Sequence, residues 1–244
     1  MNFVKYHVCG SDYVVTSDRD AEKNVIRVCN RQTGVGGYGV VIVSENPFGA
    51  RFFRPNGKEI DLDVSALLCA AAYLRDRCGS CKLGILTRAG VMLCESSSRG
   101  EICVKLNMPC FEKTRTADVG TYADFAKTDF GTSRAVCVSN DIYRAVLFGL
   151  GEKLCSYGAF PHGADIDFVK IHSRDTLETK SYERGCGYLL SASGAAACAA
   201  YMKKHGFCDG EINILTDTGT MRVKIDDGLY LSARVTKTVC GYII

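Results

Sequence analysis

Two alanine-rich segments, residues 65–77 and 194–205, constrain the fold of this chain more than any other feature. The run from Cys69 to Tyr73 in the first resembles the run from Cys198 to Tyr201 in the second. Each segment is apolar nearly all the way round, which is typical of a helix surrounded by structure on every side. One such helix in each half predicts an α/β (α+β) fold of two pseudo-symmetric halves, each with strands wrapped around a central helix.

Short runs typical of β-strands fill much of the remaining chain and are separated by Gly, Asn, Asp or Ser turns. The strand pattern lapses at residues 111–122, which predicts the boundary between an N-terminal half, 1–115, and a C-terminal half, 116–237. The C-terminal segment 238–244 is considered as an addition to the first half. The predicted strands are 13–16, 39–43, 82–87, 91–95, 101–106, 135–138, 166–171, 212–215, 221–225 and 229–233.

The charge balance argues for a small-molecule ligand. Thirty lysines and arginines face 27 aspartates and glutamates, and the formal net charge of +3 gives no electrostatic footprint for nucleic acid or membrane. No stretch approaches the roughly 20 apolar residues that a membrane span needs. We therefore expect a cytoplasmic protein that binds a small molecule and neither nucleic acid nor membrane.

The 14 cysteines are the one compositional oddity. Most lie in apolar contexts, where a free cysteine behaves as a small buried hydrophobe. Cys78 and Cys81 have the spacing of half a zinc site, but no second pair of matching spacing follows, and a structural zinc site needs four ligands. The sequence therefore predicts neither a metal nor another cofactor.

Six segments, in order along almost the whole chain, resemble those of the diaminopimelate epimerases. The resemblance is carried by residues 5–15 (family KMHGLGNDFVV), 30–36 (DRxxGIG), 53–59 (FNADGSE), the helix 67–74, 160–169 (FPxGTNVEFV) and 182–187 (YERGxG). It implies the same two-half fold, with an amino-acid-like ligand in the cleft between the halves. It also implies proton exchange at an amino-acid α-carbon without a cofactor.

In the family, one cysteine at the start of each central helix acts as thiolate base or thiol acid, because a helix N-terminus lowers the pKa of a thiol. This chain departs from that pattern. The first cysteine aligns onto Asp63. The second aligns onto Ser193 if one residue is inserted after Gly185, or onto Ala192 without a gap. A serine hydroxyl is a weak acid that needs an adjacent base, so we expect two-thiol racemisation to be lost or altered.

Several positions that bind ligand in the family have also changed. Glu183 and Arg184, which in the family hold the distal ammonium and carboxylate of the substrate, are intact, although such a pair also occurs as a plain surface ion pair. Diaminopimelate itself is not the expected substrate. The other predicted ligand-binding positions are Ser11, Arg54 and Asp165, each in place of a family asparagine, Asn140 in the remnant of the GNPH segment, and Gly194.

Two functions remain open from the sequence. In the first, the chain is a cofactor-independent isomerase in which Asp63 replaces a cysteine, as related isomerases of the phenazine-biosynthesis type use a carboxylate. Asp63 is equally suited to capping the helix that follows it. In the second, the chain is a non-catalytic partner or regulatory subunit of a cysteine-bearing paralogue. A homodimer and a heterodimer with that paralogue are the assemblies considered.

Overall fold

The computed structural model describes residues 1–97 and 100–244, which divide into two compact units. The first unit comprises Met1–Leu106 and Ser232–Ile244, and the second comprises Asn107–Leu231. The predicted division into an N-terminal half, 1–115, and a C-terminal half, 116–237, stays a prediction.

The first unit consists mainly of strands and contains one long helix. In chain order they are β1 (Asn2–Val8), β2 (Ser11–Thr16), a 3-10 helix (Arg19–Asn24), α1 (Val25–Cys29), β3 (Gly39–Glu45), β4 (Phe48–Phe53), β5 (Glu59–Ile60), α2 (Val64–Cys78), β6 (Lys82–Thr87), β7 (Gly90–Ser96) and β8 (Glu101–Leu106).

The second unit repeats this pattern. Its elements are β9 (Arg115–Asp118), β10 (Tyr122–Asp129), β11 (Ser133–Val138), α3 (Ile142–Leu147), α4 (Leu150–Cys155), β12 (Asp165–Ser173), β13 (Thr176–Glu183), β14 (Gly187–Leu189), α5 (Ala192–Lys204), β15 (Glu211–Thr216) and β16 (Gly219–Ile225). The last strand, β17 (Leu229–Tyr242), begins in the second unit and continues in the first.

Helix α2 is the centre of the first unit. Every residue from Val64 to Leu74 is buried, and the helix packs against strands β1 to β4 and β6 to β8. It ends at Gly79, whose φ of 71° lets its N–H reach the carbonyl of Arg75. That left-handed conformation strongly favours glycine. The prediction of a central helix surrounded by strands is confirmed here.

Helix α5 holds the same place in the second unit. It is buried from Ala192 to Met202 and packs against β11, β12, β13 and β16. Its first residue is Ala192, so the helix starts two residues earlier than the sequence pattern predicted. The earlier start matters because it changes which side chain stands at the N-terminus.

Within the described residues, the structure adds four short helices that the sequence did not predict, namely the 3-10 helix, α1, α3 and α4. Helices α3 and α4 contain both exposed and buried residues, and each helix is too short to show a clear helical period in the sequence. They bury Ile142 and Leu154 against Phe125 and Phe168 of the adjoining strands. A further strand, β9, lies within residues 111–122, where the strand pattern had lapsed.

Candidate functional site

The start of α2 is organised around Asp63. Oδ1 of Asp63 accepts the N–H of Ala66 at 3.0 Å and so caps the helix. Oδ2 accepts a hydrogen bond from the hydroxyl of Tyr13 at 2.9 Å. Tyr13 is buried whereas Asp63 is partly exposed. The expected capping role of Asp63 is therefore observed, and the same carboxylate is held in one orientation by a second, buried donor.

Ser11 and Arg54 are the other predicted ligand-binding positions of the first unit. Ser11 and Arg54 are both buried, and Ser11 begins β2, the strand that carries Tyr13. Asp12 lies between Ser11 and Tyr13 on β2, and its carboxylate forms salt bridges to Lys5 at 2.7 Å and to Arg31 at 2.6 Å. Burial raises the pKa of Asp12, but the hydrogen bonds from Arg31 and Lys5 outweigh it, so the net effect is a lowered pKa.

The start of α5 is organised around Ser191, which was not among the predicted site residues. Oγ of Ser191 accepts the N–H of Gly194 at 3.2 Å and caps the helix. It also accepts a hydrogen bond from Nη2 of Arg134 at 3.2 Å. Ala192 and Ser193, the two positions aligned with the family cysteine, lie in the first turn and are buried.

Arg134 lies at the centre of a buried charged cluster. Its guanidinium makes two hydrogen bonds of 2.8 Å to the carboxylate of Asp167, from Nε and from Nη2. It also approaches Glu183 at 3.3 Å and Asp165 at 3.5 Å. Burial lowers the pKa of Arg134, but the charges of Asp167, Glu183 and Asp165 and the bonds to Asp167 raise it overall. The guanidinium is therefore charged.

Arg184 extends the cluster. Its backbone N–H donates to Oδ1 of Asp165 at 3.0 Å, and its side chain lies 3.5 Å from the same oxygen. Thr132 donates to the other oxygen of Asp165 at 2.7 Å. The Glu183 and Arg184 pair is thus not a plain surface ion pair, because Glu183 is buried against Arg134.

Gly194 brings α5 into close contact with this cluster. A Cβ at this position would lie 2.1 Å from Oδ1 of Asp167 and 2.4 Å from Oγ of Ser181. Ser181 donates to the same Asp167 oxygen at 2.6 Å. Helix α5 approaches Asp167 and Ser181 so closely that only glycine fits at position 194.

The strand registers of the two units show which positions correspond. Tyr13 pairs with Gly39, the first residue of β3, and Arg134 pairs with Asp165, the first residue of β12. Tyr13 bonds to the cap of α2, and Arg134 bonds to the cap of α5. The position in the second unit that corresponds to Asp63 is therefore Ser191.

Asn140, another predicted ligand-binding residue of the second unit, lies apart from the Arg134 cluster. It is exposed and follows the C-terminal end of β11, whereas Arg134 is near the N-terminal end of the same strand. Asn140 and the Arg134 cluster thus stand at opposite ends of one strand.

The cysteines inside the central helices are inert. Cys69 and Cys198 are fully buried. Burial, reinforced by the charge of Asp63 on Cys69 and of Asp167 on Cys198, raises the pKa of each thiol well above its ordinary value. Half of the chain's cysteines are buried rather than most of them, namely Cys29, Cys69, Cys94, Cys137, Cys155, Cys198 and Cys208.

Across residues 1–97 and 100–244, no group of three or more His, Cys, Asp or Glu side chains is arranged to hold a metal ion. Among those same residues, none of the helices has the length and apolarity that a membrane crossing requires.

Comparison with solved structures identifies the class of fold. The chain superimposes with a TM-score of 0.76 on a probable proline racemase from Agrobacterium radiobacter, at 12% sequence identity, covering 100% of this chain and 92% of the other. A phenazine biosynthesis protein of the PhzF family from Bacillus anthracis gives a TM-score of 0.73 at 16% identity, covering 100% and 99%. The fold is that of the racemases, epimerases and PhzF-like proteins.

Sequence comparison identifies the family. The chain is 30% identical to the diaminopimelate epimerase of Aquifex aeolicus, covering 90% of this chain and 88% of the relative. It is 26% identical to diaminopimelate epimerase 2 of a Nostoc species, covering 99% and 95%. No family model matches the chain. The chain belongs to the diaminopimelate epimerase family.

Proposed function

We propose that this chain is an epimerase or racemase-type isomerase of an amino-acid-like substrate, in which Asp63 moves the proton at the α-carbon. The observation that carries the proposal is the setting of Asp63. It is a partly exposed carboxylate at the start of the central helix, and Tyr13 and the Ala66 N–H hold it in place. A fixed carboxylate of this kind is a suitable general base.

The second helix begins with serines where the first begins with a carboxylate. Ser191 and Ser193 are hydroxyls, and a serine hydroxyl takes up a proton-transfer role only with a base beside it. The charged Arg134, which donates to Ser191, cannot serve as that base. We expect one carboxylate to do the work that two thiols do elsewhere in the family.

The Arg134 cluster also supports a substrate other than diaminopimelate. Glu183 already accepts a hydrogen bond from Arg134, so an internal cation occupies the oxygen that would otherwise receive a distal ammonium. The cluster of Asp165, Asp167, Glu183, Arg134 and Arg184 carries three negative and two positive side chains. A ligand with a single amino group suits this balance better than one with two.

A second candidate function is a non-catalytic subunit that pairs with a cysteine-bearing epimerase. It is favoured by the side chains that cap the two helices, an aspartate and a serine, since neither is a thiol. In this case the ligand is bound but not racemised by this chain alone.

Incorporation of deuterium from deuterium oxide into free amino acids separates the two functions. The purified chain is incubated with a panel of amino acids, including diaminopimelate, alone and together with a cysteine-bearing paralogue. Exchange by the chain alone supports the isomerase. Exchange that requires the paralogue, and is the same with Asp63→Asn, rejects the isomerase and supports the partner subunit.

A further inference from the structure

A cavity of about 570 Å³ lies in the second unit, beyond the C-terminal end of β11. Its walls are the turn between β9 and β10, the residues that follow β11, and helices α3 and α4. Ser139, which lines the cavity, lies five residues beyond Arg134 in the sequence. A strand rises about 3.3 Å per residue, so the cavity lies about 16 Å from the Arg134 cluster and is a separate site.

Two cations line the cavity, Arg144 on α3 and Lys153 on α4. In the described part of the chain, neither side chain forms a salt bridge. The guanidinium of Arg144 lies over the ring of Phe148, 5.5 Å from its centroid. Asp141 supplies a carboxylate to the lining, and its Oδ1 already accepts the backbone N–H of Arg144. Two positive charges and one negative charge favour a ligand with a single negative charge.

Two aromatic rings border the same cavity. Tyr122 begins β10 and is 78% exposed, and Phe148 follows α3 and is 53% exposed. Aromatic rings stack on other flat rings or lie edge to face against them. The two rings therefore offer contact to the flat apolar part of a ligand, while the two cations attract its charge.

The first unit shows what its counterpart of Lys153 binds. Helices α1 and α4 each lie between two parallel strands, β2 and β3 or β11 and β12. Arg27 in α1 and Lys153 in α4 each precede a buried pair, Val28–Cys29 or Leu154–Cys155. Arg27 donates a hydrogen bond from Nη2 to the carbonyl oxygen of Ile244, within its own unit. Lys153 borders the cavity instead, where a ligand oxygen can take the place of that carbonyl.

We infer that this cavity binds a small carboxylate that carries a flat apolar ring, an aryl acid. Its carboxylate accepts hydrogen bonds from Arg144 and Lys153, and its ring lies against Tyr122 and Phe148. Binding breaks no salt bridge of these cations, and a guanidinium matches the planar geometry of a carboxylate. The cavity volume falls within the range of small-molecule sites, roughly 300–1,000 Å³.

A titration of the full chain with phenylacetate, followed by amide chemical shifts, tests the site. Phenylacetate should bind with a Kd of about 1 mM, as expected for so small a ligand. The shifts should centre on Gly120, Thr121 and Ser139. Phenylethanol lacks the charge and acetate lacks the ring, so each should bind at least roughly tenfold more weakly. Phenyl phosphate, which carries more than one charge at pH 7, should not bind more tightly than phenylacetate.

Substitutions at the cavity provide the second test. Lys153→Met and Tyr122→Ala should each weaken phenylacetate binding roughly tenfold. Both side chains are exposed, so unfolding should be nearly unchanged. Lys113→Met, at an exposed lysine outside the cavity lining, is the matched control and should bind as the native chain does.

Four results would overturn the inference. The first is the absence of phenylacetate binding at roughly 20 mM, well above the expected Kd. The second is a set of shifts centred on the Arg134 cluster. The third is binding of phenylethanol or phenyl phosphate that equals or exceeds that of phenylacetate. The fourth is native affinity in both Lys153→Met and Tyr122→Ala.

Discussion

The hydroxyl of Tyr13 lies 2.9 Å from Oδ2 of Asp63 and donates a hydrogen bond to it. Because Oδ1 accepts the N–H of Ala66, the carboxylate is fixed from both sides. A hydrogen bond donated to a carboxylate favours its charged form. Tyr13 is therefore expected to set the pH range in which Asp63 can accept a proton.

Replacing Tyr13 by phenylalanine tests this relationship. Without the donated hydrogen bond the charged carboxylate is less favoured, so the acid limb of the pH–rate profile for deuterium exchange should move to higher pH. Tyr6→Phe is the matched control, since Tyr6 donates to Asp76 at 3.0 Å. Both variants should lose about 1 kcal/mol of unfolding free energy. Only the first should shift the profile, and superimposable profiles for Tyr13→Phe and the native chain would rule out the role.

Gly194→Ala should destabilise the chain, because the new Cβ would overlap Oδ1 of Asp167 and Oγ of Ser181. Overpacking of this kind costs about 1–3 kcal/mol. Gly158→Ala is the control, since a Cβ there meets no atom within 4 Å. Urea unfolding of the two variants measures the difference. Equal midpoints would show that α5 does not approach Asp167 as closely as described.

Arg134→Met should be among the most damaging substitutions in the second unit. It leaves the buried Asp167 carboxylate without its two 2.8 Å hydrogen bonds, and breaking a buried ion pair from one side costs about 3–5 kcal/mol. Arg174→Met removes an exposed ion pair to Asp209 of 2.9 Å and should cost less than about 1 kcal/mol.

The loss in Arg134→Met should depend on pH. Unpaired buried carboxylates have a raised pKa in the folded state. The stability of the variant is then fully present below the unfolded-state carboxyl pKa of about 4. It is lost as the pH rises through the raised pKa of the folded state. Denaturation curves from pH 4 to pH 8 measure this. A variant that is least stable at acidic pH would contradict the assigned cluster.

Alkylation should not affect activity. Burial raises the pKa of Cys29 to about 12 and that of Cys208 to about 11, and Cys69 and Cys198 are shielded completely. Iodoacetamide at pH 8 should label the exposed Cys78, Cys81, Cys110 and Cys240, as mass spectrometry of peptides would report. Deuterium exchange should survive the treatment. Its loss would identify a thiol as catalytic.

The sequence predicted the central helices and most strands because these elements have clear periods and compositions. Residues 65–74 and 194–202 are apolar nearly all round, and the structure buries them. The short helices α3 and α4 escaped prediction because six residues are too few to display a helical period. Their positions depend on tertiary contacts with strands β12 and β13.

The candidate site was predicted in part. Asp63 was found because its segment aligns without gaps, and its capping bond follows from its residue type. Ser191 was not predicted because the resemblance places the family cysteine at position 192 or 193, although a serine just before an apolar helical run is a capping signal. Arg134 was missed because nothing local marks it. Its significance comes from Asp165, Asp167 and Glu183, which lie more than 30 residues away.

The comparison of Asp63→Asn with the native chain tests the central claim most directly. Asparagine caps a helix about as well as aspartate, so unfolding should be nearly unchanged. Deuterium incorporation into the substrate should fall by at least roughly 100-fold, the contribution of a general base. Asp61→Asn, an exposed neighbour, is the control and should retain full exchange. Exchange by Asp63→Asn at the native rate would contradict the assignment of Asp63 as the proton-transfer group.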